Sequence, residues 1–211
     1  MNPSNYLKIK NKIPLNVNIL AVSKGFKSQE IKIIQKLGQN DFGESKFQEA
    51  FEKQLILKDL TKIKWHFVGR IQSNKVRKIV QNFEYIHSVD SFEKLQKISN
   101  ISFEEKKNPL IMLQVKLSED PTKGGFNPDL LIFKWREIQE LKNIKLSGLM
   151  TINPKGLSSK ANLELFTKCR SLADSLQLPD CSMGMSGDWE EAIEAGSTWL
   201  RLGSLIFGGR T

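Results

Sequence analysis

The sequence predicts an α/β protein folded as a (β/α)8 barrel of the TIM type, on three observations. Short apolar runs alternate eight times with helical stripes. The runs lack the in-and-out alternation of half-solvated strands, as expected of parallel strands buried on both faces. No linker or shift in composition interrupts the 211 residues, so a single domain over residues 1–211 is expected. A doubly wound open sheet is the other arrangement that such alternation allows.

Residues 1–16 are polar and basic, with a turn at Pro14, and read as a lead-in helix or arm. The first strand covers residues 17–23. Ser28 then offers an N-cap to a helix whose Ile31, Ile33, Ile34 and Leu37 form one apolar stripe, and Gly38 closes it. Residues 41–44 make a short second strand, followed by a helix over 45–58. The third strand, 65–69, ends in Gly69 and precedes a helix over 72–80. The fourth, 85–89, is followed by a helix capped by Asp90 or Ser91. The longest apolar run of strand character, PLIMLQVKL at 109–117, is the fifth strand. Its polar, glycine-rich loop leads to Asn127-Pro128-Asp129, which starts a helix reaching about residue 141. Strand six is 146–150, and a long helix ends near residue 176. Strand seven is 180–183, and the helix 188–195 is stopped by Gly196. Strand eight is 198–202, with residues 203–210 running on from it.

Composition narrows the class of protein. With 39% hydrophobic and 26% charged residues the chain is an ordinary globular one. No apolar run spans a bilayer and no secretory signal opens the chain, so a cytoplasmic protein without membrane contact is expected. The net charge of +9 comes from lysines scattered over the whole length rather than from an arginine-rich or aromatic-interleaved block, which argues against a nucleic-acid face. Cys169 and Cys181 lack CxxC spacing and clustered histidines, so they read as small core residues and no metal site is expected.

In a barrel of this kind chemistry sits at the carboxyl ends of the strands, a rim that Lys24, Glu44, Gly69, Ser88, Met150, Ser186 and Gly203 share. Lys24 follows the apolar run Ile19-Leu20-Ala21-Val22. A lysine at the end of a buried strand can be desolvated into a nucleophile toward aldehydes. Ser182-Met183-Gly184-Met185-Ser186-Gly187 follows strand seven, and Arg201-Leu202-Gly203-Ser204 follows strand eight. Loops after these strands commonly bind phosphate, and here glycines admit backbone N–H groups, Ser186 and Ser204 add hydroxyls, and the helix at Asp188 points its positive end at the site. An aldehyde-seeking lysine and a phosphate cradle across one barrel mouth match pyridoxal 5′-phosphate (PLP), which carries both groups on one ring. His66 and His87 read as hydrogen-bonded core residues, Glu44 as a charge at a helix N-terminus, and the run 73–78 as a solvated helix face.

The stretches AVSKGFKSQEI, DFGESKFQEA, KWHFVGRIQSNKVRKIV, YIHSVDS, GLMTI and SMGMSGDWEEAIEAGSTWLRLGSLIFGGR carry a resemblance over essentially the whole chain. The chain resembles the pyridoxal-phosphate-binding homeostasis proteins, a family similar to the N-terminal barrel of alanine racemase. The resemblance implies that Lys24 carries PLP as a Schiff base and that Ser186, Gly203 and Ser204 hold its phosphate. It also implies that Arg201 faces the pyridine nitrogen, with Met150 and Met185 close to the ring. A guanidinium there leaves the ring unprotonated, a poorer electron sink. Ser45 stands where the family usually has asparagine, so a polar ring-edge contact would be shortened or water-bridged. Gly25-Phe26 and Arg70 also depart from the usual pattern.

Alanine racemase pairs its lysine with a tyrosine from a second domain. Here Tyr6 lies in the lead-in and Tyr85 at the wrong end of strand four. The expectation is therefore a monomeric carrier in PLP homeostasis, with no catalytic residues and with apo PLP-dependent enzymes as transient acceptors. The alternative is a slow PLP-dependent racemase or lyase that uses Lys24 as its only base.

Overall fold

The structure is a computed structural model describing residues 3–118 and 124–209. Part of the glycine-rich loop after strand five and the last two residues, Arg210 and Thr211, lie outside the described residues. Eight parallel strands close into a barrel in sequence order: β1 (Asn18–Val22), β2 (Asp41–Glu44), β3 (Lys64–Phe67), β4 (Tyr85–Val89), β5 (Leu110–Gln114), β6 (Lys145–Met150), β7 (Asp180–Ser182) and β8 (Trp199–Leu202). Closure is made by β8 against β1, with Leu20 level with Arg201 and Ala21 with Leu202. The closed barrel rules out the open sheet.

Helices follow the strands on the outside: α1 (Ser4–Lys10) as lead-in, α2 (Ser28–Lys36), α3 (Phe47–Ile56), α4 (Val76–Asn82), α5 (Phe92–Glu104), α6 (Pro128–Phe133), α7 (Trp135–Gln139), α8 (Ser159–Ser175), α9 (Trp189–Glu194) and α10 (Ser204–Phe207). Four local details differ from the sequence reading. Ser28 is the first helical residue rather than the cap; the Glu30 carboxylate accepts the Lys27 N–H at 2.7 Å and does the capping instead. The helix after strand three starts as a 3-10 turn, Ser73–Lys75. The single helix expected after strand five breaks at Lys134 into α6 and α7, although Asn127 caps it as expected, its Oδ1 accepting from the N–H groups of Asp129 and Leu130. Residues 204–207, expected to run on from strand eight, form the one-turn helix α10.

The strand period of two sorts residues between two cores. Outward residues such as Ala21, Phe42, Phe67, Ile86 and Leu149 pack with the helices. A smaller cluster of Leu20, Met112, Met150 and Trp199 fills the barrel interior. Close approach dictates one glycine here: a Cβ on Gly148 would stand 2.1 Å from the Asp180 backbone oxygen of the next strand.

Candidate functional site

Lys24 stands two residues beyond β1, with Leu20 and Val22 on the same parity of the strand. Its peptide is fixed from both sides. Ser23 donates its hydroxyl to Glu44 Oε1 at 2.7 Å, and Lys53 Nζ donates to the Ser23 carbonyl at 2.8 Å. Lys53 also pairs with Glu44 and Glu49 at 2.7 and 2.6 Å, and Glu49 accepts the Gly25 N–H at 2.5 Å. Gly25 adopts φ +79°, a left-handed turn that suits glycine and carries the chain off the strand. Phe26 then stacks on Phe207 of α10 at 4.8 Å, joining the Lys24 loop to the turn after β8.

Glu44, expected from the sequence as a charge at a helix N-terminus, is instead a fully buried partner of Lys53. Burial pushes its carboxyl above the ordinary value, and Lys53 and Ser23 offset only part of that. Burial also pushes Glu49 up, but Lys53 and the Gly25 N–H together bring it below its ordinary value.

At the carboxyl end of the barrel a cavity of about 580 Å³ gathers Lys24, Met185, Ser186, Arg201, Gly203 and Ser204. These are six of the eight residues singled out in the sequence. Gly184, in the loop that supplies Met185 and Ser186, has φ +84°, and a Cβ there would meet the Ala192 Cβ at 2.5 Å, so only glycine lets that loop lie against α9. Asp188 lies at the start of α9 and also lines the cavity; its carboxylate accepts the Met185 N–H at 2.6 Å. Its pKa is raised by burial, an effect that the Met185 N–H and Arg201 counter.

Arg201 rises from β8 into this floor. It donates to the Ser182 carbonyl, to Ser182 Oγ at 2.9 Å and to the Thr151 carbonyl at 2.7 Å. Burial brings its pKa down to about 10, with Asp188 acting against the fall, so it stays a cation at neutral pH.

Ser45 and Met150 are not brought to this cavity. Ser45 packs its backbone against Gly69, where a Cβ would lie 1.9 Å from the Ser45 oxygen. It lines a neighbouring hollow with Lys46, Arg70 and Lys75. Met150 is buried one layer below, where Val68 and Ile152 separate the interior cluster from the cavity they line. Sequence reading missed the loop after β6, whose Asn153, Pro154 and Lys155 line the same cavity as Lys24. The signal was the Asn-Pro-Lys-Gly that begins three residues after strand six, at a strand's carboxyl end like the other site loops. Asn153 is held by its amide donating to Asn162 Oδ1 at 3.0 Å.

The histidines are buried as expected, but in contact with each other: His66 Nδ1 and His87 Nε2 are 2.9 Å apart. The cysteines are buried and unbridged. Tyr6 is buried beneath the lead-in helix against Gln39, and Tyr85 stacks on His66 at 4.1 Å inside the barrel. Among the described residues no cluster of His, Cys, Asp and Glu could hold a metal ion. No helix among them is long and apolar enough to cross a membrane.

The family model for the alanine racemase N-terminal domain matches residues 3–211. A pyridoxal phosphate homeostasis protein from Synechocystis is 43% identical over 99% of both chains. One from Pseudomonas aeruginosa is 38% identical over 93% of this chain and 86% of its own. Among solved structures, PipY of Synechococcus elongatus with PLP bound superposes with a TM-score of 0.94 at 37% identity, covering 98% of this chain and 99% of that one. Alanine racemase from Clostridium difficile shares the fold, with a TM-score of 0.83 at 18% identity over 97% of this chain and 55% of that one. With the closed barrel and the matched length, the chain belongs to the pyridoxal phosphate homeostasis protein family, built on the alanine racemase N-terminal-domain barrel.

Proposed function

We propose that the chain binds PLP in the cavity at the carboxyl end of the barrel and serves intracellular PLP homeostasis as a carrier of the cofactor. The observation that carries this reading is the convergence of an amine, two serine hydroxyls and a guanidinium, from Lys24, Ser186, Ser204 and Arg201, on one cavity of ring size. The donor set fits the group. Lys24 supplies the amine for a Schiff base. Ser186, Ser204 and the N–H groups at the start of α10 suit a phosphate, and Gly203 leaves the backbone open to it, with no atom within 3.4 Å of the place a Cβ would take except the Val22 oxygen at that distance. Arg201 is the donor for the pyridine nitrogen, and Met185 the apolar contact beside the ring. Bound, PLP would supply a reactive aldehyde and an electron sink. The chain's own residues orient it, and Arg201, charged at neutral pH, limits that sink by holding the ring nitrogen as an acceptor. The relatives named as homeostasis proteins and the PLP-bound PipY structure support this reading.

The same geometry favours a carrier over a racemase. Among the described residues neither tyrosine lines the cavity, so Lys24 has no tyrosine opposite it as a second base. The acceptors of the cofactor are apo PLP-dependent enzymes met transiently in the cytoplasm, and the carrier acts as a monomer. The test is the absorption spectrum of the wild type beside Lys24→Ala. A Schiff-base band removed by borohydride and absent from Lys24→Ala is expected. If saturating PLP gives no band in the wild type, the reading fails. Robust turnover of an added amino acid, lost in Lys24→Ala, would instead establish the slow single-base enzyme.

A further inference from the structure

Five polar side chains form a path through the barrel interior behind the cavity. Arg201 Nη1 donates to Ser182 Oγ at 2.9 Å, and Ser182 Oγ lies 3.0 Å from His87 Nδ1. His87 Nε2 lies 2.9 Å from His66 Nδ1, and His66 Nε2 lies 3.1 Å from Asp41 Oδ1. The path starts on β8 at the cavity, crosses β7, β4 and β3, and leaves at Asp41, at the amino end of β2, whose side chain is 23% exposed. Ser182, His66 and His87 are completely enclosed.

With both rings neutral, the two ends fix the direction of every bond between them. A guanidinium only donates and a carboxylate only accepts. Asp41 therefore takes its hydrogen from His66 Nε2, which leaves His66 Nδ1 as the acceptor of a neutral ring. His87 must then donate from Nε2, which leaves its Nδ1 to accept the Ser182 hydroxyl. Ser182, having spent its one hydrogen on His87, presents lone pairs to Arg201. Burial lowers the pKa of both imidazoles, His87 well below its ordinary value with His66 and Arg201 adding to the effect, in agreement with two neutral rings.

We infer that Ser182, His87, His66 and Asp41 are positioning residues for Arg201, a hydrogen-bonded chain of single polarity that holds the guanidinium in register with the cavity. The consequence at the cofactor ring rests on the PLP reading above; the polarity of the chain does not. Arginine carries several rotatable bonds, and a ligand that uses only its free N–H edge would otherwise have to order it on binding. Here Ser182 and Thr151 have already ordered it, and the two histidines keep Ser182 from turning its hydrogen toward the guanidinium.

Two measurements decide the inference. The chain has only two histidines, so 15N-histidine labelling of the cofactor-free protein gives two imidazoles to assign. The expected result at pH 7 is that both rings are neutral and protonated on Nε2, with a scalar coupling across the His87 to His66 hydrogen bond. A His87 protonated on Nδ1, or either ring as imidazolium, overturns the inference. The second measurement uses Ser182→Ala, which keeps the carbonyl that Arg201 also uses. It is expected to weaken PLP binding roughly tenfold, the effect of one misplaced hydrogen bond. Binding of the carbocyclic analogue that lacks the ring nitrogen should be unchanged, and Ser182→Thr should restore the loss. Equal weakening for both ligands, or none for either, refutes a positioning role. The tautomer measurement needs no variant, so it decides the chain's polarity even if Ser182→Ala does not fold. A wild type that forms no PLP band overturns the cofactor reading alone and leaves the tautomer result standing.

Discussion

Replacing Lys53 by methionine removes the cation that neutralises Glu44 while keeping most of the side chain's volume. Glu44 is fully enclosed, its Oε2 already has no hydrogen-bond partner among the described residues, and its Oε1 would keep only Ser23. Breaking a buried pair from one side leaves an uncompensated charge and costs about 3–5 kcal/mol. In a chain of this length that lowers the melting temperature by roughly 6–20 °C. The penalty should also depend on pH. Burial already raises the Glu44 pKa, and without the lowering influence of Lys53 it rises further. A carboxyl whose folded pKa lies above its unfolded one favours folding fully only below the unfolded pKa, and that contribution is lost as pH rises through the folded pKa. The Lys53→Met penalty should therefore be largest at pH 7 and shrink on acidification toward the unfolded value. Taking the difference from wild type at each pH cancels groups that Lys53 does not touch; Glu49, whose carboxyl Lys53 also holds down, adds a change of the same sign, and the double variant isolates the Glu44 part. The assay is urea unfolding at pH 5, 6 and 7, with the Glu44→Gln/Lys53→Met double variant as the second arm, expected to be more stable than Lys53→Met alone. A penalty below about 1 kcal/mol, or one flat with pH, or a double variant no better than the single, refutes the reasoning.

The buried histidines predict a second pH effect of opposite sign. Their folded pKa values lie below the unfolded one, so the stability they confer is present above about pH 6.5 and is lost as pH falls below it, by up to about 1.4 kcal/mol per pH unit for each ring. Wild-type stability should fall from pH 7 to pH 5, and His87→Gln should reduce the slope. Gly148→Ala should cost roughly 3 kcal/mol or more, because its Cβ meets the Asp180 backbone rather than a movable side chain; circular dichroism of the soluble fraction checks it. Ser186→Ala and Ser204→Ala should each weaken PLP binding about tenfold or more in equilibrium titration, as loss of a hydrogen bond to a charged group does, with the Schiff-base band still reached at saturation.

Much of the fold was legible because its signals are local. Eight short apolar runs, each followed by a helical stripe, dictate parallel strands with crossover helices. Lys24 is placed by the end of one such run, and the SMGMS and RLGS tracts by the ends of two others, so their convergence follows from barrel topology alone. The same rule, applied to the Asn-Pro-Lys-Gly after strand six, would have found Asn153 and Lys155.

Other placements depended on distances that no run of residues carries. Ser45 also follows a strand, yet close contact with Gly69 seats it beside a different hollow, and Met150 falls on the interior layer beneath Val68 and Ile152. Glu44 read as a helix charge because it directly precedes the helix expected from residue 45; only α3 folding back over β2 brings Lys53 onto it. The sequence by itself determined the barrel, the rim and the residue types available for an aldehyde and a phosphate. Tertiary structure alone decided the brace around Lys24 and the path from Arg201 to Asp41, because the first needs α3 folded back over β1 and β2 and the second needs β8, β7, β4, β3 and β2 to face one another inside the closed barrel. Those arrangements bring together residues 95 positions apart in the chain, as for His87 and Ser182.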